Sequence, residues 1–470
     1  MKYMLFISII LLSLVLNSPF KVVDIEWNES LLGASSAIIE MSQPSQGTRI
    51  FPQGFTREDQ FIILMFANGN SGQAGQILGW GITSVLAATA NTRNLTTVKA
   101  IVVADANGVP LLRPVVRDVT IVGYDDTNPY TRGQYGYGTG GSVEGPPFWS
   151  GGQSASYDGL VVNSNGATLE NLRLFYIPGT ALEIKQSGDT ANVLRDISIT
   201  RVLNGIDFTG GKHDVENVEI TGVRDYAIRV GGNSEVTMRN IHLWNGGNRV
   251  AFEVLENGKV YVEGLYPEQS QVGVRLLGDE SYISGLYSWG NHVANAEIFG
   301  ESNQLQNFVV KTLSGGAGFV IGSGSGTSGQ GTVINNGGIK IADNSIGIRL
   351  AADQVIITNT KLGGYGGSTG RVGIRVEKAI NNSIIDVDCS YLDLCLDLND
   401  DDGTSRLGRG NVIRLRNTTG VIQMANLPAT WDSSNRIYFN GVLQNGGGNP
   451  VDNGPISVSI PTIAPFNFNL

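Results

Sequence analysis

The sequence is poor in charge, in histidine and in cysteine, and each shortage excludes a class of protein. Only 16% of its 470 residues are charged and 63 are glycine, which is unlike a helical protein. Acidic residues outnumber basic ones for a net charge of −10, which argues against a nucleic-acid partner, since such a partner requires a basic face. With three histidines and two cysteines, the chain carries no His/Cys metal cluster and no serine–histidine triad. The composition instead favours strands separated by tight turns.

The two cysteines lie close together in the segment DCSYLDLCLDL, as Cys389 and Cys395. Strict alternation along a strand places Leu394 and Leu396 on one side and Cys395 on the other. This pattern argues against a disulfide between the two cysteines, and two thiols by themselves say little about the compartment.

Long hydrophobic runs are also scarce, and the one at the N-terminus predicts export. Lys2 precedes an apolar run from Met4 to Leu16, which the tripeptide NSP ends, as in a secretory signal sequence. The run is short for a membrane span, but no A-x-A cleavage site is evident, so an uncleaved anchor is the alternative. We therefore expect residues 1–18 to direct the protein to the exterior or the cell surface, with membrane contact only if this segment is retained.

What the sequence has in abundance is a repeat centred on a turn residue. The residue is Asn, Asp or Gly in every copy, the types that adopt a left-handed backbone at least cost. An apolar residue lies two positions before it and another lies one position after it. Because strand side chains alternate between two faces, both apolar residues can face one core only if the chain turns a corner there. The turn positions, at intervals of 21 to 25 residues, are Asn171, Asp196, Asn217, Asn240, Gly264, Gly285 and Asn307.

A third strand follows in each copy, with one apolar residue predicted to point inward. These inward residues are Leu182, Ile206, Ile228, Phe252, Val274, Ala296, Ile348 and Ile374. Three short strands per repeat predict an all-β parallel solenoid, in which each coil buries its apolar residues on its neighbours. We expect the first copy to have Asp118 at its turn and the last regular copy to turn near Asp386.

This pattern resembles the right-handed parallel β-helix of the pectin-lyase-like superfamily, in which a two-residue turn that often holds asparagine joins the second and third strands of a coil. Arg239-Asn240 and its equivalents match that turn. The resemblance implies a single β-helix over residues 98–424, preceded by an N-terminal cap region at 20–97 and followed by a C-terminal capping or extended tail at 425–470. The superfamily contains lyases, glycoside hydrolases, viral tailspikes and adhesins. Its catalytic signatures NTD, GHG, RIK and WIDH are missing here.

Ionisable residues recur on the outward side of the third strand, and we call this row the ionic ladder. The resemblance implies that the outer face of this sheet carries the substrate cleft. Charge pairing between adjacent strands is the alternative use of the row. The members with predicted catalytic roles are Asp207, Arg229, Glu253, Arg275 and Glu297.

Two reactions fit the ionic ladder. In a glycoside hydrolase, Asp207 with Glu253, or Glu253 with Glu297, would flank the scissile bond, since strands two coils apart are about 9.6 Å apart. In a polysaccharide lyase, Glu183, Asp207 and Glu253 would hold a Ca²⁺ ion, and Arg229 or Arg275 would abstract the proton, although arginine is a poor base.

Aromatic side chains form a second candidate site on the strand after the turn. This aromatic row consists of His242, Trp244, Tyr266, Tyr287 and Trp289, with Glu268 among them. A long insertion before Leu160 adds Tyr135, Tyr137 and Trp149. Flat apolar rings are suited to stacking on sugars. Aromatic contacts within the sheet, packing of the insertion, or a subunit contact are the alternatives.

The sequence therefore predicts an exported β-helix protein that binds, and as an enzyme would cleave, an extended polysaccharide or cell-surface glycan on the side of the solenoid. The alternative is a non-catalytic adhesin, viral tailspike or structural surface protein, and a tailspike would favour a homotrimer. Ca²⁺ is the one cofactor that the acidic residues suggest.

Overall fold

The computed structural model describes residues 159–444, apart from gaps at 176–178, 187, 245–248, 324–327, 366–368, 379, 399–406, 418–423 and 426–431. Before residue 159 it describes the backbone of eight short strands. The described residues are all strand and turn, with no helix, and about ten turns of parallel β-solenoid lie between residues 160 and 439. No helix in this part of the chain therefore has the length and apolarity of a membrane span. The chain divides into two compact units, residues 1–249 and 250–470.

The first unit begins with short strands and continues as solenoid coils. Its strands are β1 (Met41–Pro44), β2 (Phe55–Phe61), β3 (Met65–Asn68), β4 (Gln76–Ile77), β5 (Val98–Val103), β6 (Leu111–Leu112), β7 (Val115–Arg117), β8 (Thr120–Val122), β9 (Leu160–Asn165), β10 (Thr168–Phe175), β11 (Thr180–Gln186) and β12 (Asn192–Trp244). β1 pairs with β2, and β3 with β4 and β5, in antiparallel fashion, whereas the later pairs are parallel. Asp118 lies outside the described residues, but β7 and β8 on either side of it pair with β10 in the register that the repeat predicts.

Strand β12 shows how tightly this unit is wound. Its 53 residues are hydrogen-bonded without interruption, so the chain passes from coil to coil without a loop. It pairs in parallel with β10 and with β11 along different parts of its length. Such continuity is possible because one or two residues with positive φ, such as Asn217 and the pair Gly232-Asn233, change the direction of the chain where other proteins use loops.

The predicted turn residues of the first unit all have the left-handed backbone that the repeat requires. Asn171, Asp196, Asn217 and Asn240 have φ between 51° and 56°. Their side chains stack from coil to coil: Nδ2 of Asn217 donates to Oδ1 of Asp196 at 3.1 Å, and Nδ2 of Asn240 donates to Oδ1 of Asn217 at 2.9 Å. The corner predicted at Asn240 is confirmed.

The second unit consists of two alternating sets of strands. They are β13 (Val250–Val254), β14 (Lys259–Glu268), β15 (Val272–Leu276), β16 (Tyr282–Trp289), β17 (Ala294–Ile298), β18 (Gln304–Lys311), β19 (Ala317–Ile321), β20 (Val333–Ile341), β21 (Ile346–Leu350), β22 (Ile356–Gly364), β23 (Val372–Val376), β24 (Ile384–Ser390), β25 (Leu394–Asp397), β26 (Val412–Asn417), β27 (Met424–Ala425), β28 (Arg436–Phe439) and β29 (Val442–Gln444). Odd-numbered strands from β13 to β27 pair in parallel with one another, and so do even-numbered strands from β14 to β28. β29 turns back antiparallel along β28.

The turn residues of the second unit have the same left-handed backbone as those of the first. Gly264, Gly285 and Asn307 have positive φ, and so do Asn336 and Asn359, which continue the column beyond the predicted series. Asn307 and Asn336 are 29 residues apart, wider than the predicted interval, yet the amide of Asn336 still donates to that of Asn307. The longer even-numbered strands are therefore two strands of a coil joined at a one-residue bend.

The inward positions form the core, as predicted. All eight apolar residues expected to point inward from the third strand are fully buried, and the apolar residues that flank each of the seven predicted turns are at most 2% exposed. Backbone hydrogen bonds between coils and stacked apolar side chains thus hold the fold together.

Asp386 is a correction, because it does not occupy a turn. It has no positive φ, and the register shifts by one residue between β22 and β24. Ile385 and Val387 are both fully buried on either side of half-exposed Asp386, so this coil runs straight through the position. Between the aligned positions, β24 has one residue where β22 has two, so strand alternation continues through Asp386 and no left-handed residue is required.

The disulfide is a second correction: Cys389 and Cys395 are bonded, with their Cα atoms 5.9 Å apart. Strict alternation does not hold at Cys395, because Cys395 and Leu396 are both buried. Cys395 lies in register with Gly373 at the second residue of β25. This position is buried in other coils too, as at Ala251, so Cys395 faces away from solvent and can bond to the buried Cys389 at the end of β24.

Candidate functional site

In the first unit, the ionic ladder is a set of paired charges. Glu183 and Asp207 are in direct register on adjacent coils. Arg229 binds Asp207 through both Nη2, at 2.5 Å, and Nε, at 3.4 Å, while Nζ of Lys185 lies 3.1 Å from Glu183. The guanidinium of Arg229 also stacks over the Tyr226 ring at 4.1 Å. The predicted neighbours on this sheet are therefore brought together, as an ion-paired group.

Tyr226 completes this group. Its hydroxyl donates to Oδ2 of Asp207 at 3.1 Å. Burial raises the pKa of Tyr226, and the negative charge of Asp207 raises it further. A phenol held in its neutral form is a hydrogen-bond donor here, and sequence reasoning missed it because it lies three residues before Arg229 rather than within the ladder.

In the second unit, one arginine bridges the two predicted carboxylates. Glu253, Arg275 and Glu297 are in direct register on three successive strands. Arg275 lies 3.5 Å from Glu253 through Nη1 and 2.7 Å from Glu297 through Nε. The carboxylate side chains are only 16% and 12% exposed. Further along the unit, Arg349 pairs with Glu377 and Arg375 with Asp397, at 2.7 Å and 2.9 Å.

This geometry is what cross-strand charge pairing predicts, and it is unfavourable for either reaction. A general acid must carry a proton, but an adjacent guanidinium stabilises the ionised carboxylate. A general base must be unprotonated so that it can accept a proton, but arginine remains protonated in proteins, and here each arginine is bound to a carboxylate. The catalytic roles of the ladder remain predictions of the sequence.

The calcium site also remains a prediction. Within the described residues, no group of three or more His, Cys, Asp or Glu side chains lies close enough to hold a metal ion. Of the three predicted ligands, Glu183 is paired with Lys185 and Asp207 with Arg229 in the first unit, and Glu253 is paired with Arg275 in the second.

The aromatic row of the second unit forms a face on the even-numbered strands. The ring centroids of Tyr266 and Tyr287 are 6.2 Å apart, and Glu268 is in direct register with Trp289. Tyr266 is 37% exposed, and Tyr287 and Trp289 are half-buried. Three aromatic rings on two adjacent strands thus present apolar surface to solvent.

Lysines continue this face on the next coils, a feature that the sequence reasoning missed. Lys311 is in register with Trp289 on one side and with Lys340 on the other. Its Nζ lies over the Tyr365 ring, 4.8 Å from the centroid. Lys361 follows on β22, in register with Gly338. The face therefore changes from aromatic to basic along the unit. Lys311 belongs to the repeat copy of Asn307, whereas Lys340 and Lys361 belong to copies beyond the predicted series.

The other aromatic candidates lie elsewhere. His242 and Trp244 are at the end of β12 in the first unit, where His242 is half-buried and Trp244 is 38% exposed. Tyr135, Tyr137 and Trp149 of the long insertion lie outside the described residues.

Comparison of the chain with protein-family models, with curated proteins and with solved structures found no match. The structure itself shows the architecture, a parallel β-solenoid.

Proposed function

We propose that this protein is an exported β-helix of the pectin-lyase-like type that binds an extended polysaccharide with the side of its solenoid. The observation that carries the proposal is the partly exposed aromatic face of Tyr266, Tyr287 and Trp289 in the second unit. Such rings offer flat apolar surface for the carbon-bound hydrogens of sugars, and neighbouring lysine and carboxylate groups can bond to hydroxyls.

Export has independent support from the disulfide. Disulfides persist mainly in oxidising compartments, and both Cys389 and Cys395 are buried and bonded to each other. Together with the N-terminal apolar run, it favours a secreted or surface location.

Binding without cleavage is the form of the proposal that we favour. The carboxylates of the ionic ladder that were predicted to catalyse are each bound to an arginine. A glycoside hydrolase or lyase remains the second candidate, on the strength of Glu253 and Glu297 converging on one side chain from coils on either side of it.

The test is retention on a panel of immobilised polysaccharides. Tyr266→Ala and Trp289→Ala should each weaken binding about tenfold or more, which corresponds to about 1.4 kcal/mol. Tyr261→Ala is the matched control, because Tyr261 is 38% exposed but lies before the corner, on another face of the same unit. Equal binding by all three variants, or equal loss in all three, would contradict the proposal.

The same panel decides between binding and cleavage. Reducing ends and unsaturated products are followed with and without a chelator, for the native protein and for Glu253→Gln. Product that forms with the native protein and disappears with Glu253→Gln would establish an enzyme. Retention without product would support a binding protein, and light scattering would show whether it is a homotrimer.

A further inference from the structure

Three lysines of the second unit surround a glycine on the outer side of the even-numbered strands, and we call them the lysine cluster. Gly338 on β20 is in direct register with Lys361 on β22, and Lys340 occupies the next outward position of the same strand as Gly338. Lys311 on β18 is in register with Lys340, so it lies diagonally across from Gly338. Adjacent strands are about 4.8 Å apart and successive outward positions about 6.7 Å apart, which places Gly338 within reach of all three side chains.

Gly338 leaves the surface between these lysines open. A Cβ at Gly338 would meet only the carbonyl oxygen of Lys361, at 3.8 Å. In the preceding coils the same row carries the side chains of Tyr266, Tyr287 and Val309. The row therefore loses its side chain where the lysines converge, and the half-exposed backbone there forms the floor of a shallow depression.

Tyr365 fixes one side of this depression. Its hydroxyl donates to the carbonyl oxygen of Thr312 at 2.7 Å, and the Nζ of Lys311 lies over its ring, 4.8 Å from the centroid. An aromatic ring attracts an ammonium group without neutralising it. The charge of Asp343 also acts on this tyrosine. Tyr365 thus positions the ammonium of Lys311 and leaves its charge available to a ligand.

Two acidic side chains next to the lysine cluster share a cation of their own. Asp388 is in register with Lys361 and accepts a hydrogen bond from Nε of Arg416 at 2.5 Å. Nη2 of the same arginine lies 2.8 Å from Asp386. Together with Arg416, the lysine cluster contributes four positive charges against those of Asp343, Asp386 and Asp388. Positive charge therefore prevails locally, on a chain that is acidic overall.

The ligand that matches this arrangement is an anionic group with three terminal oxygens. An ammonium group has three N–H donors, so Lys340 and Lys361 can keep their contacts within the protein and still donate to a ligand. A sulfate ester or a phosphate monoester presents three terminal oxygens, one for each lysine, whereas a carboxylate presents two. Because the net charge of −10 disfavours nonspecific attraction of polyanions, binding of such a group has to be local to the cluster.

We infer that the lysine cluster binds a sulfate or phosphate ester group of the polysaccharide, beside the sugars that stack on the aromatic row. The inference rests on the proposed function and specifies its substrate class as an esterified, anionic glycan. Trp289 is in register with Lys311, so the stacking surface and the cluster are continuous. Glu268 lies on the other side of Trp289, at the aromatic end of the face and away from the cluster.

Retention of the full-length protein on one polymer backbone with four substituents tests the inference. The probes are immobilised hydroxyethyl, carboxymethyl, sulfate and phosphate derivatives of cellulose at equal degrees of substitution. We expect the sulfate or the phosphate derivative to retain the protein about tenfold or more better than the other two do, and the better of the esters identifies the group. Equal retention on the carboxymethyl derivative, or no retention on either ester, would overturn the inference.

Charge variants locate the binding. Lys340→Gln and Lys361→Gln should each weaken retention on the ester about fivefold or more, and Gly338→Glu should abolish it, because a carboxylate would occupy the depression. Lys259→Gln is the matched control, because Lys259 bonds to Glu280 and lies before the corner of the same unit. Unchanged urea midpoints verify that each variant is folded. Equal retention of Lys259→Gln and Lys340→Gln would overturn the inference.

Trp289→Ala separates failure of this inference from failure of the proposed function. If Trp289→Ala loses retention on the panel whereas the lysine variants keep it, polysaccharide binding by the aromatic row stands and the lysine cluster has no part in it. If neither the tryptophan variant nor the lysine variants lose retention, both the inference and the proposed function are wrong.

Discussion

At the residue scale, asparagine gives this chain its corners. Positive φ is costly for most residues, but the short polar side chain of asparagine tolerates it and bonds locally. In both units the asparagine amides also bond to one another between coils, as at Asn217 with Asn240 and at Asn336 with Asn359. The same residue therefore turns the chain and links adjacent turns, which explains why asparagine appears at so many of these positions.

Gly337 is predicted to be irreplaceable because of its neighbour on the preceding coil. A Cβ on Gly337 would lie 2.5 Å from Cδ1 of the fully buried Phe308, whereas one on Gly338 would meet nothing closer than 3.8 Å. We expect Gly337→Ala to lower the free energy of unfolding by about 1–3 kcal/mol, as overpacking does, and Gly338→Ala to change it little. Urea denaturation measures both. Phe308→Leu should restore part of the loss in Gly337→Ala, and two equally stable glycine variants would contradict the clash.

His213 predicts a pH dependence of stability. Its Nε2 donates to the Gly210 carbonyl at 2.7 Å, and burial lowers its pKa from 6.5 to about 4, with the Gly210 bond acting in the opposite direction. Between these values the unfolded chain binds a proton that the folded chain does not, so this contribution to stability is complete above about pH 6.5 and is lost as the pH falls toward 4. The full loss is about 3 kcal/mol. Unfolding midpoints measured from pH 8 to 4 should decline less steeply in His213→Gln than in the native protein, and parallel curves would refute this role.

At the scale of elements, the disulfide marks a junction that recurs in every coil of the second unit. Stepping through the register, Cys389 corresponds to Leu362, Ile339, Val310 and Ser288, and Cys395 corresponds to Gly373, Gly347, Gly318 and Asn295. The hydroxyl of Ser288 donates to Oδ1 of Asn295 at 2.8 Å, so a hydrogen bond joins the positions that the disulfide joins elsewhere.

Because Ser288 and Asn295 occupy the positions of Cys389 and Cys395, we predict that a second disulfide can be introduced there. In the double variant Ser288→Cys/Asn295→Cys, we expect a new bond to form spontaneously under oxidising conditions, because disulfide formation depends on backbone geometry. Mass spectrometry of the digested protein without reduction detects it. In the control Ser288→Cys/Ala296→Cys the thiols should stay reduced, since Ala296 belongs to the inward row. Free thiols in both variants would show that the two junctions differ.

Arg275 is predicted to support its sheet by neutralising two carboxylates. Arg275→Gln leaves Glu253 and Glu297 without this cation in a partly buried position, and we expect a loss of about 1–3 kcal/mol at pH 7. Arg195→Gln is the control, because Arg195 is 56% exposed, is 3.7 Å from Glu216 and should contribute little. Urea denaturation of both variants at pH 7 decides, and equal losses in Arg275→Gln and Arg195→Gln would contradict this role of Arg275.

At the scale of the whole molecule, stability should be local, because each coil contacts only its neighbours. Reduction of Cys389–Cys395 should therefore raise amide hydrogen exchange in β24 and β25, and to a lesser degree in β22 and β26. β14, far along the same unit, should be unchanged. Exchange measured by mass spectrometry with and without a reducing agent tests this expectation, and a uniform rise across the unit would indicate a single cooperative block.

Much of the fold was predictable from the sequence, and less of the site. The turn residues and inward rows follow from periodicity alone, because a period of two interrupted by one left-handed residue leaves few alternatives. The series ends at Asn307, where the next interval widens to 29 residues, and Lys340 and Lys361 lie beyond it. The disulfide was misjudged because strict alternation does not hold at the start of the third strand, where Cys395 and Leu396 are both buried.

By itself, the sequence determined that the chain winds into coils and which side chains point inward, because these depend on local backbone preferences and on alternation. The tertiary structure alone decided which outward side chains meet. Arg275 between two carboxylates, Tyr226 beside Asp207, and Trp289 next to Lys311 are all contacts between residues about twenty apart in the chain. Such contacts depend on the length of each coil, and one added or missing residue, as at Asp386, changes the register and with it the neighbour.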